Sequence, residues 1–197
     1  MNIFRKTKFT SLIEASIKPE SCKKLSLIFY DYSLKDKGEI FSQFINLEVL
    51  EIQTSVSTYY LNDFELPAEI GNLKKLKKIS VLNFPLKTFP EWIFNIESLE
   101  YLMLRGNDIV TIPESISRLE KLKTLKIESC PLSKIPKTLN QLKNLKFLGL
   151  CDTRLTDLNY NLFPYNLKEI YFNGTGIYKD EDLELLKTKM PKTRIYP

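Results

Sequence analysis

One apolar spacing recurs four times at a constant interval of 23 residues, and nothing else in the chain restricts its fold so tightly. The copies read Leu76-x-x-Ile79-x-Val81, Leu99-x-x-Leu102-x-Leu104, Leu122-x-x-Leu125-x-Ile127 and Leu145-x-x-Leu148-x-Leu150. Three of them continue alike: Phe84-x-Leu86-x-x-Phe89-Pro90, Asn107-x-Ile109-x-x-Ile112-Pro113 and Cys130-x-Leu132-x-x-Ile135-Pro136, each followed by apolar residues at intervals of three. Looser copies extend upstream through Leu47-x-x-Leu50-x-Ile52 to Cys22-x-x-Leu25-x-Leu27. Downstream, Leu167-x-x-Ile170-x-Phe172 brings the total to about seven units.

Two periods coexist inside each unit. Alternating apolar residues such as Leu102 and Leu104 predict a short strand with one buried face, because strand side chains alternate with period two. The spacing of three through Pro113, Ile116 and Leu119 predicts a short helical or 3₁₀ segment, with the proline at its first position. One unit cannot bury both faces alone. Stacking joins the strands into a parallel sheet and merges the apolar faces into one core.

These motifs resemble the leucine-rich-repeat family, and the Leu-Pro-x-x-Ile-x-x-Leu ending resembles its 23-residue subclass, over roughly Cys22 to Ile177. The resemblance implies an α/β solenoid, a short horseshoe with a parallel concave sheet and short helical or 3₁₀ convex segments. It implies interaction scaffolds rather than any one partner. The family's stacked asparagine is present only at Asn107; Ser55, Phe84, Cys130, Thr153 and Thr175 replace it elsewhere, so a less regular turn is expected.

An open solenoid needs capped ends. Residues 1–21 are expected to form a helical cap from Phe9, Leu12, Ile13 and Ile17, residues 22–177 the repeats, and residues 178–197 a second cap. In that second cap a helix opens at Asp180 and stops before Pro191, leaving Arg194-Ile195-Tyr196 for a last strand. The chain is expected to be complete, without a second domain.

If the apolar strand residues point inward, the intervening ones line the concave face. Solvated strand faces are normally polar, yet Leu82, Tyr101, Met103, Phe147, Cys151 and Tyr171 fall there. Apolar residues gathered on one face, with aromatic residues and arginine among them, mark interfaces. The expected partner-binding residues are therefore Leu82, Tyr101, Met103, Arg105, Phe147 and Tyr171. Tyr59 and Tyr60 join them from a six-residue insertion within residues 53–63, since insertions in such arrays fall on loops of one face.

The partner read from this pattern is a protein or peptide, and no catalysis is expected. A self-associating structural module, monomeric or weakly homo-oligomeric, is the alternative, as is an effector exported without a recognisable signal. The chain contains no histidine, which removes the commonest general base and metal ligand. No cofactor or metal is expected. Its net charge of +5 is small, and its lysines alternate with acids such as Glu97, Glu100 and Glu120, so nucleic acid is not the expected partner. Three irregularly spaced cysteines make no disulfide framework. With no run of about 18 apolar residues and no signal-like segment, the cytoplasm is the expected location.

Overall fold

The computed structural model describes residues 6–29, 34–54, 65–156, 159–176 and 180–197. Among the described residues nine strands form one sheet in chain order, every pair parallel. They are β1 (Lys8–Phe9), β2 (Lys24–Phe29), β3 (Val49–Thr54), β4 (Lys78–Leu82), β5 (Tyr101–Arg105), β6 (Thr124–Glu128), β7 (Phe147–Gly149), β8 (Glu169–Tyr171) and β9 (Arg194–Tyr196). The register is constant: Leu25, Leu50, Ile79, Leu102, Leu125, Leu148, Ile170 and Ile195 lie side by side, and all but Ile195 are buried. A slip of one residue would turn this row out to solvent, so the repeat spacing fixes the pairing.

The return segments are 3₁₀ turns at Ala68–Asn72, Glu91–Asn95, Glu114–Arg118 and Lys137–Gln141. Pro67, Pro90, Pro113 and Pro136 precede them as caps, with ψ between 123° and 154°. The expected place inside the first turn is thus corrected by one residue. Proline's fixed φ suits both positions; it is ψ that distinguishes them, and the extended ψ aims the proline carbonyl at the N–H three residues on.

The turns after the strands are regular, contrary to expectation. Asn83, Gly106, Ser129, Asp152 and Gly174 occupy the same place in five successive units, and all are left-handed, with φ between 50° and 70°. The first four donate their N–H to a carbonyl of the next unit at 2.7 to 2.9 Å. A side chain on Gly106 would come within 2.4 Å of Asn83 Oδ1, so beside Asn83 only glycine fits without a shift.

Behind it the asparagine role is shared with sulfur. Asn107 Nδ2 donates to the Val81 and Arg105 carbonyls, both at 3.0 Å. Cys130 Sγ, one unit later, donates to the equivalent carbonyls of Leu104 and Glu128, at 3.4 and 3.2 Å. Backbone geometry keeps the turn periodic while its side chains vary.

At the N-terminal end, Phe9 is not helical but sits in β1, buried against the core. The helix α1 (Leu12–Ile17) is capped by Ser11 and buries Ala15, leaving Ile13 and Ile17 80% and 73% exposed. The expected helical face of Phe9, Ile13 and Ile17 is therefore corrected: the chain enters the sheet first. A further short helix, α2 (Gly38–Ser42), buries Phe41 in the first return segment. At the other end α3 (Asp180–Lys189) packs Leu186 inward, and β9 follows. A single buried cluster runs from Phe9 to Met190 beneath the whole sheet.

Candidate functional site

The strand residues that do not enter the core stand in three rows across the solvent face of the sheet. One row runs Lys8, Lys24, Val49, Lys78, Tyr101, Thr124, Phe147, Glu169, Arg194. The next runs Ser26, Glu51, Ser80, Met103, Lys126, Gly149, Tyr171, Tyr196, and a third holds Ile28, Gln53, Leu82, Arg105 and Glu128. Leu82, Tyr101, Met103, Phe147 and Tyr171 are half-buried on this face, and Arg105 is exposed. Tyr59 and Tyr60 lie outside the described residues, as does nearly all of the insertion.

At the N-terminal side Glu51 is gripped by Lys24 at 2.7 Å, Lys78 at 2.9 Å and the Ser26 hydroxyl at 2.8 Å. Partial burial pushes its carboxyl up, but the hydrogen bonds from both lysines and the serine outweigh it and hold the carboxyl at about 2. Lys78 Nζ also stands 4.9 Å over the Tyr101 ring, and the Tyr101 hydroxyl donates to Met103 Sδ at 3.5 Å. Leu82 pairs in register with Arg105, so Lys78 and Arg105 flank a strip made of Leu82, Tyr101 and Met103. Among the described residues Arg105 has no ion pair.

The C-terminal side is different. Tyr171 stacks on Tyr196 with ring centres 4.4 Å apart and planes 6° from parallel, and its hydroxyl donates to Glu169. That hydrogen bond, followed by desolvation, pushes the phenol up to about 12. Arg194 pairs with Glu169 at 3.4 Å, and Lys126 pairs with Glu128 at 3.2 Å. Gly149 leaves the room for that last pair: a Cβ there would sit 2.5 Å from Glu128 Oε1.

Tyr196 and the ion pairs were missed in the sequence. Alternation about Ile195 already placed Tyr196 outward, beside Tyr171 by register, and that signal was available. Ile28, 57% exposed, also belongs to the face.

The other chemistry is quiet. Burial first, then the charge of Glu128, pushes the half-buried Cys151 thiol up, and burial does the same to Cys130 and takes Cys22 to about 11. Among the described residues no group of three or more metal-binding side chains gathers. Lysines at the unit starts alternate with acids along one ridge: Glu48 lies 4.0 Å from Lys23 and 3.1 Å from Lys77, and Glu100 lies 2.7 Å from Lys123. Among the described residues no helix is long and apolar enough to cross a membrane.

No protein-family model and no curated protein matches the chain. Solved structures do. A leucine-rich-repeat protein of Leptospira interrogans superposes with a TM-score of 0.72 and 27% identity, over 89% of this chain and 43% of its own. Internalin C2 of Listeria monocytogenes superposes with a TM-score of 0.67 and 20% identity, over 91% of this chain and 72% of its own. This chain thus spans less than half the length of the Leptospira protein. With its parallel sheet in sequential order and its 3₁₀ returns among the described residues, the chain has the fold of a leucine-rich-repeat solenoid.

Proposed function

We propose that this solenoid, of the 23-residue repeat class and capped by residues 1–21 and 178–197, is a non-catalytic module that grips a protein or peptide on its concave face. The observation that carries the reading is the placement of Leu82, Tyr101, Met103, Phe147 and Tyr171 together on a solvent-facing sheet surface. A strand face with no partner gains nothing from large apolar side chains, whereas an interface core is enriched in aromatic residues and methionine. Arg105 beside them supplies the third side-chain type common in hot spots. The three thiols are free, which suits a reducing compartment such as the cytoplasm.

The test is crosslinked capture from the native host's lysate with wild type and a Tyr101→Glu/Phe147→Glu variant, the latter shown folded by circular dichroism. The reading expects a protein captured by wild type and lost by the variant. Equal capture by both would move the site off this face. Light scattering over a range of concentrations separates self-association, for which a concentration-dependent mass would speak instead.

A further inference from the structure

The charged residues of the concave face are divided unevenly. On β1 to β5 its outward positions hold the cations Lys8, Lys24, Lys78 and Arg105 against one carboxylate, Glu51. On β6 to β9 they hold Lys126 and Arg194 against Glu128 and Glu169, and each of these is paired. The excess positive charge therefore borders the strip of Leu82, Tyr101 and Met103. Lys78 shares its one carboxylate with Lys24, and Arg105 has none among the described residues.

We propose that this strip takes an acidic peptide segment whose carboxylates flank a large apolar side chain, a refinement that rests on the concave-face reading above. Lys78 is in register with Tyr101, and Arg105 with Leu82, so the two cations stand at opposite ends of a strip two strands wide and four residue steps long. At about 3.3 Å per residue that is about 13 Å. An extended peptide spans the same distance between residues i and i+4 and can put an apolar side chain between them.

A neutral or basic partner covering Arg105 would strip its hydration without returning a charge, which is costly. Nucleic acid would need a track of cations along a backbone, whereas these enclose an apolar patch.

The experiment selects peptides of about twelve residues from a displayed random library on the immobilised full chain. The enriched peptides are then titrated against wild type, Arg105→Gln, Arg105→Glu and Tyr101→Glu, each checked by circular dichroism. The inference expects acidic residues about four apart around Phe, Leu or Met. It also expects Arg105→Glu to weaken binding about tenfold at about 50 mM salt, less at about 500 mM where charges are screened, with Arg105→Gln in between.

Enriched peptides without acids, lost with Tyr101→Glu but indifferent to both Arg105 variants, would overturn this inference and leave the concave-face reading standing. Peptides indifferent to all the variants, or no enrichment, would overturn both. Tighter binding of a single-stranded oligonucleotide than of any enriched peptide would overturn the inference in favour of a polyanion.

Discussion

Strands β1 to β5 present four cations and one carboxylate to solvent, whereas β6 to β9 present two of each, already paired within the sheet. The aromatic residues differ in the same sense. Tyr101 has a cation over one ring face and a weak thioether contact at its hydroxyl. Tyr171 is stacked against Tyr196 and hydrogen-bonded to Glu169. Both halves use the same positions of the same repeat. A solenoid thus dictates where its surface side chains stand but not whether their binding capacity stays open or is consumed within the molecule.

Beneath that surface the two halves should be equivalent, and this gives the largest expected effect. Leu102→Ala and Leu148→Ala each empty a fully buried site of one continuous core, so each should cost about 2 to 5 kcal/mol in urea unfolding. A loss under about 1 kcal/mol in one half only would break the picture of a shared core.

Binding should separate the halves more sharply. With an acidic peptide selected as above, Tyr101→Ala should cost about 2 kcal/mol by calorimetry, the size of a hot-spot truncation. Tyr171→Ala should cost under about 0.5 kcal/mol, because the strip lies on β4 and β5 while Tyr171 stands on β8, stacked on Tyr196. The reverse order would place the site on the C-terminal half.

The Glu51 cluster contributes less. Removing its charge with Glu51→Gln leaves Lys24 and Lys78 facing each other and should cost about 1 kcal/mol at neutral pH, since the cluster is partly solvated. The folded carboxyl is held at about 2, below its ordinary value of 4.5. The stabilisation is therefore complete above about pH 4.5 and disappears as the pH falls toward 2. The difference in midpoint between wild type and variant should close over that window; a difference that persists at pH 2 would show that the carboxylate charge is not its source.

Smallest of all, Tyr196→Ala should cost about 0.5 to 1 kcal/mol for the lost stacking, and should leave peptide binding at Tyr101 unchanged. Weakened binding would show that the halves are coupled.

Much of this was legible because the repeat leaves little freedom. Two apolar periods set strands and returns, and constant spacing set the register that brings Tyr101, Met103 and Leu82 to one face. The proline caps were misplaced by one residue because φ is written in the sequence and ψ is not. The turn was expected to loosen where asparagine was lost, but left-handed Ser129 and Asp152 hold it, and Cys130 supplies a donor that its usual role as a small apolar residue hides. The N-terminal helix was overextended because Phe9 fits a helical spacing and a strand end equally well. Lys24 and Lys78 with Glu51, and Arg194 with Glu169, pair across more than 20 positions, and only the register reveals them.

Hydroxyl-radical footprinting of the free and peptide-bound chain tests the central claim most directly, because methionine and aromatic side chains report their own exposure. The account predicts protection of Tyr101, Met103 and Leu82 on binding, with Tyr165, outside the strands and 83% exposed, unchanged. Protection of Tyr165 with Tyr101 and Met103 unaltered would contradict it.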